Sequence, residues 1–233
     1  SYETALNALN VYGIYVSPNS RILGNIENNG SITALAEAGS ATTVKSSAKA
    51  RGIFYDQLVA SGSASADVVN AADATISAQA VAVADNMALA SAIGVDLNLV
   101  GPSASGGVFN DGTISAIASA TVIHASSKAS VLAVAFGTGI EQALVVSDGN
   151  ADLVIQNSGA VNVSGRIATQ NTYGGAKSQG NYIGIEQTIV EASPDYETTF
   201  TVVNAVDAAV HVNAEVAAAA TGGFAEKGEA AVK

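Results

Sequence analysis

A glycine followed by a β-branched residue recurs along the chain at Gly13-Ile14, Gly52-Ile53, Gly94-Val95, Gly139-Ile140 and Gly184-Ile185, at spacings of 39, 42, 45 and 45 residues. Between successive copies stands a second marker, an asparagine just ahead of a short turn, at Asn28, Asn70, Asn110, Asn157 and Asn204. The two markers alternate without exception. A period in this range signals stacked units, each too small to bury its own apolar face, so the repeat constrains the fold more than any local propensity does.

Aligning the second marker on Asn29, Asp73, Asp111, Ser158 and Asp207 brings out columns. Three residues on stand Ile32, Ile76, Ile114, Val161 and Val210, all β-branched. Two further come Ala34, Ala78, Ala116, Val163 and Val212, then Ala36, Ala80, Ala118, Gly165 and Ala214. The residues between them, Thr33, Ser77, Ser115, Asn162 and His211, then Leu35, Gln79, Ile117, Ser164 and Asn213, are mostly polar. Alternation with period 2 and one apolar face is a strand signature, and it predicts strands near 31–37, 75–81, 113–119, 160–166 and 209–215.

Composition sharpens the architecture. The chain has 46 alanines, no tryptophan and only 5% aromatics, so its core is made of small side chains. Alanine favours helix, and 71–93 could be tolerated in one, but the period-2 columns and the Asn-Gly, Asp-Gly and Ser-Gly turns oppose that reading. Propeller blades need bulky residues and Trp-Asp pairs, and stacked helical repeats need a period of 3.6. The fold expected is therefore all-β, a right-handed parallel β-helix of about ten coils in five two-coil repeats. It should occupy 1–216, leaving 217–233 as a C-terminal tail or cap, helical or without structure. Pro18, Pro102 and Pro194 each fall between a glycine marker and the next asparagine, where loops are expected because proline cannot donate to a ladder. The Gly-, Asn- and Gln-rich stretch from Ile167 to Gly180 reads as a further loop.

Charge and length narrow the partners. Twenty carboxylates against nine Lys and Arg give a net charge of −11, which opposes binding to nucleic acid or anionic lipid. Without cysteine there are no disulfides, thiolate metal sites or Cys nucleophiles. The longest stretch free of charge, Thr4 to Ser20, holds three Asn and a Pro, so membrane insertion as an apolar helix is not expected. A mean hydropathy of +0.33 with 12% charged residues implies a surface of Ala, Ser, Thr and Val that favours self-association.

The combination of Asn-Gly turns, Ile-x-Ala-x-Ala strands and the Gly-Ile-x-Gln segments of units four and five resembles repeat segments of large bacterial surface proteins, autotransporter passengers and related adhesins in particular. The resemblance covers about Gly13 to Val216. It implies a secreted, cell-surface parallel β-helix with an adhesive or structural role. The C-terminal run of amphipathic membrane strands found in whole autotransporters has no counterpart here.

Candidate chemistry is sparse. His124 and His211 sit in different repeats, and His211 shares an outward column with Ser115 and Asn162, so neither belongs to a Ser, His and Asp constellation. Asp96, Glu141 and Glu186 follow equivalent glycine markers and are expected to form a solvated acidic stripe. With two coils per unit its members would lie roughly 10 Å apart, too far for a retaining glycosidase pair at about 5 to 5.5 Å. Ser147 to Asp152 is oxygen-rich but lacks the spacing and final Glu of a calcium loop, and reads as a turn. Gly174-Gly175 and Gly222-Gly223 lack phosphate-loop spacing. No catalytic, cofactor or metal site is expected. The five marker asparagines instead suggest a structural ladder of stacked amides, with Gln142 and Gln187 as a smaller one, and Gly13, Gly52, Gly94, Gly139 and Gly184 as repeat turns.

These readings lead to a secreted, non-enzymatic structural or adhesive protein, extracellular or at the cell surface. Its partners would be other copies of itself and a host, matrix or glycan surface. The N-terminal glycine coil of one copy is expected to follow the last asparagine coil of another, giving filaments. The alternative is a carbohydrate-active or carbohydrate-binding β-helix, for which Tyr12, Tyr15, Phe54 and Tyr55 form the one aromatic concentration.

Overall fold

The computed structural model describes residues 6–16, 24–125, 130–191, 197–220 and 225–232. These form sixteen strands in three parallel sheets, with no helix among the described residues. The first sheet contains β1 (Leu6–Val16), β4 (Lys45–Leu58), β7 (Met87–Gly101), β10 (Val131–Val146), β13 (Ala176–Glu191) and β16 (Ala225–Val232) in that order. The second holds β2 (Ile26–Asn28), β5 (Ser63–Asn70), β8 (Ser103–Asn110), β11 (Ala151–Asn157) and β14 (Thr198–Asn204). The third holds β3 (Ser31–Gly39), β6 (Thr75–Ala84), β9 (Thr113–Ala125), β12 (Ala160–Asn171) and β15 (Ala209–Ala220). Each sheet pairs strand n with strand n+3, which makes the chain a parallel β-helix.

The expected count of coils is corrected by this order. One unit of 39 to 45 residues makes a single three-strand coil, and the stack comprises five coils with a sixth begun by β16, not ten. Both markers lie in every coil: the glycine inside a first-sheet strand, the asparagine at the end of a second-sheet strand. The third-sheet strands begin where the columns place them and run several residues further.

A slip in sidedness explains why the first sheet was the harder one to read. Along β4, Ser46, Ala48, Ala50 and Gly52 face inward, and then Ile53, Tyr55 and Gln57 do. Two successive inward residues at the glycine marker shift the alternation by one, as a kink or bulge does. Glycine is required there by close approach. A Cβ on Gly94 would stand 2.5 Å from Ile114 Cγ2 and 2.6 Å from the Gly139 carbonyl oxygen, and Gly13 and Gly52 meet Ile32 and Ile76 in the same way. The glycine column of the first sheet thus packs on the β-branched column of the third.

Alanine columns let these two sheets pack closely, Ala48, Ala50, Ala90 and Ala92 on one side and Ala78, Ala80, Ala116 and Ala118 on the other, all buried. Larger side chains, including Leu97, Leu99, Leu153 and Ile155, fill the wider space beside the second sheet. Where the fifth coil places Tyr182 in an alanine column, smaller neighbours make room. Tyr182 is fully buried and donates its hydroxyl to the Ala118 carbonyl at 3.0 Å, and a Cβ on Gly137 or Gly165 would strike its ring or hydroxyl at 2.8 and 2.5 Å.

Two further expectations change. The stretch from Ile167 to Gly180 is mostly strand, with only 172–175 as a turn, because β12 and β13 continue their pairing through it. Residues 217–220 belong to β15 and 225–232 form β16 against β13, so the boundary at 216 does not end the solenoid, and no helix follows it among the described residues. Pro102 does sit between β7 and β8, whereas Pro18, Pro194 and the Gly222-Gly223 pair lie outside the described residues.

Candidate functional site

The asparagines end second-sheet strands in one register, and the structure brings all five together. Asn28 donates through Nδ2 to Asn70 Oδ1 at 2.8 Å, Asn70 to Asn110 at 2.8 Å, Asn110 to Asn157 at 2.7 Å, and Asn157 to Asn204 at 2.7 Å. The same amide nitrogens reach carbonyls at the start of the next coil's third-sheet strand, Thr75 at 3.0 Å and Ala160 at 3.2 Å among them. Asn70, Asn110 and Asn157 are wholly buried, and each is satisfied by its neighbours above and below. Gln187 donates to Gln142 Oε1 at 2.8 Å as a second, two-member ladder. These groups hold the coils in register.

The chemically distinctive surface is the outer face of the first sheet at the glycine slip. Pairing places Tyr15, Phe54, Asp96, Glu141 and Glu186 in one row across five consecutive strands. Tyr12, Arg51, Ile93, Thr138 and Ile183 form the row on the other side of the slip. Because two inward residues separate the rows, residues i and i+3 emerge beside each other. The rings of Tyr12 and Tyr15 lie 5.2 Å apart, Tyr15 and Phe54 5.3 Å, and Tyr12 and Phe54 5.8 Å, all near parallel. The Arg51 guanidinium carbon stands 4.4 Å from the Phe54 ring centre and 5.9 Å from that of Tyr12, while Arg51 Nε lies 2.6 Å from Asp96 Oδ2.

The acidic row therefore differs from the solvated, widely spaced stripe expected. Its members occupy adjacent strands, about 4.8 Å apart, because a unit is one coil. Asp96 is buried beneath Arg51, Glu141 is half-buried and Glu186 exposed. Burial pushes the Asp96 carboxyl above its ordinary range more than the charge and hydrogen bond of Arg51 pull it down. Glu141 is also raised, by burial first and then by the neighbouring charges of Asp96 and Glu186.

The remaining candidates stay apart. His211 is exposed beside Asn162, and His124 lies at the end of β9 in another coil. Tyr55 faces the core, so it is no part of the aromatic group. Ser147 to Asn150 form the turn from β10 to β11, and no group of three metal-ligating side chains occurs among the described residues. Ile93 and Thr138, missed in the sequence, share the register row of Tyr12 and Arg51 but are buried, at 8% and 9% exposure, and offer no surface to a ligand. No protein-family model, curated protein or solved structure matches the chain.

Proposed function

We propose that this chain is a non-enzymatic structural or adhesive element of an extracellular or cell-surface assembly, associating head to tail with copies of itself. The observation that carries the reading is the stack of like coils, whose sheets and amide ladder would continue into another coil of the same kind at the β14–β15 end. Phe200 and Val202 are 52% and 53% exposed, although they share inward rows with Leu153 and Ile155, which are fully buried. Parallel edges and a one-directional amide ladder meet there, and the β2–β3 edges at the opposite end are complementary to them.

The expected placement of a second copy needs one change. In such a stack the incoming β1 would lie on β13, where β16 already pairs through 176–182 with an interrupted register. Assembly thus requires β16 to move aside. The spacing of about 4.8 Å removes the distance argument against a retaining glycosidase pair; what stands against catalysis is that the three side chains project side by side from one sheet, not opposed across a bond as such a pair is.

Negative-stain microscopy of the concentrated protein should reveal filaments, and Val202→Asp should abolish them. Persistent monomers in light scattering would overturn the assembly. Hydrolysis of any polysaccharide, lost in Glu141→Gln, would overturn the non-enzymatic part.

A further inference from the structure

We propose that Tyr12, Tyr15 and Phe54, continued along the sheet by Glu141 and Glu186, form a strip that binds a neutral, polyhydroxylated glycan chain laid along the solenoid axis. The inference rests on the adhesive part of the reading above and supplies its ligand class. Three observations combine. Tyr12 and Tyr15 are 38% and 52% exposed and stack with Phe54 into one aromatic group, a costly surface to leave in water. Directly in line with it, one strand spacing apart, the row continues as Asp96, Glu141 and Glu186. Between them Arg51 is held by Asp96 and Phe54.

Aromatic rings offer a flat apolar surface to the C–H face of a sugar, and carboxylates and tyrosine hydroxyls accept or exchange hydrogen bonds with its hydroxyls. Other ligand classes fit the same atoms worse. A cation at the rings would meet Arg51, whose guanidinium already lies against Phe54 and Tyr12. An anionic glycan would meet three carboxylates. A wholly apolar partner would cover Glu141 and Asp96 without hydrogen-bonding Glu141, at the desolvation cost of a buried charge. A neutral chain of hydroxyls satisfies both ends. Its direction follows from the row, which crosses five strands about 4.8 Å apart.

The test is a titration with neutral, acidic and amino oligosaccharides and with oligolysine, followed by calorimetry and by intrinsic tyrosine fluorescence, which is uncontaminated because the chain has no tryptophan. Neutral oligosaccharides should bind. Tyr15→Ala should weaken them by roughly three- to tenfold, the range of one lost aromatic contact, and Glu186→Gln should weaken them less. Tyr173→Ala, which removes a tyrosine 62% exposed in the turn ahead of β13 and outside both rows, should leave binding unchanged. Tyr15→Leu keeps apolar bulk at the site, so weakened binding with an unchanged circular dichroism spectrum separates lost stacking from lost folding. Absence of binding to any neutral glycan, equal binding by Tyr15→Ala, or preference for oligolysine would each overturn the strip and leave the filament reading untouched. Filaments could equally fail while glycan binding persists, which would overturn only the assembly.

Discussion

At the scale of single residues, the structure separates groups that do the same job in every coil from groups that do it once. Asn110 accepts from Asn70 and donates to Asn157, both at full burial. Replacing it with Ala leaves the buried Asn157 Oδ1 without its donor and Asn70 Nδ2 with only the longer bonds to the Ala74 and Thr113 carbonyls at 3.4 and 3.3 Å, so Asn110→Ala should cost about 2 to 3 kcal/mol. Asn204→Ala, at the exposed end of the same ladder, should cost about 1 kcal/mol. Urea midpoints of the two variants check the difference. The ladder was legible because every copy shows the same residue type at the same point; nothing else was needed to place five amides in line. Glu141 is the contrasting case. Its raised carboxyl comes from burial and from two neighbours supplied by other coils, and the sequence reading had put those neighbours twice as far away. Since its proton is held more tightly in the folded than in the unfolded chain, its contribution favours folding below its ordinary value of 4.5 and is lost as pH rises through the folded value. Asp96 acts in the same direction. Glu141→Gln should therefore raise the thermal midpoint at neutral pH and flatten its decline between mildly acid and neutral solution. An unchanged pH profile would contradict the burial of this carboxyl.

At the scale of strands, the glycine marker and the β-branched column that follows the asparagine marker are two halves of one contact. The sequence separated them into different coils because the inward side of a first-sheet strand changes at the glycine, so Ala48 and Ala50 belong to one phase and Ile53 and Tyr55 to the other. A period-2 reading carried across that point finds no consistent face. The third-sheet strands, which contain no slip in their first seven residues, were legible to the residue at their starts. Compensation between coils was not legible at all, because Gly137, Gly165 and Tyr182 look unrelated until register aligns them. Gly137→Ala should destabilise by roughly 1 to 3 kcal/mol through overpacking against the Tyr182 ring. In a Tyr182→Ala background the same change should cost much less, leaving only a contact with Val163 Cγ1 at 3.0 Å. A double-mutant cycle measures this coupling, and additive effects would argue against the packing described.

At the scale of the molecule, the coil is the natural unit of change. Removing Gly52 to Ile93 joins Arg51 to Gly94 at equivalent points, keeps all three sheets in register and lets Asn28 face Asn110 directly. The shortened chain should fold with an unchanged β spectrum and a rod shorter by about 4.8 Å in small-angle scattering. Removing only Gly52 to Ala72, half of that unit, should abolish cooperative unfolding because it joins strands of different sheets. Two-coil repeats would have tolerated the shorter deletion, so the pair of variants separates the two architectures.

The asparagine ladder has one more consequence. Each amide gives its hydrogen toward the strand with the higher number and receives from the lower, so the five side-chain dipoles add along one axis instead of cancelling. Such a column distinguishes up from down. A neighbouring rod lying alongside would feel opposite fields in its two possible orientations, and a polar fibre made of these molecules would have chemically different tips, one rich in amide hydrogens and the other in amide oxygens.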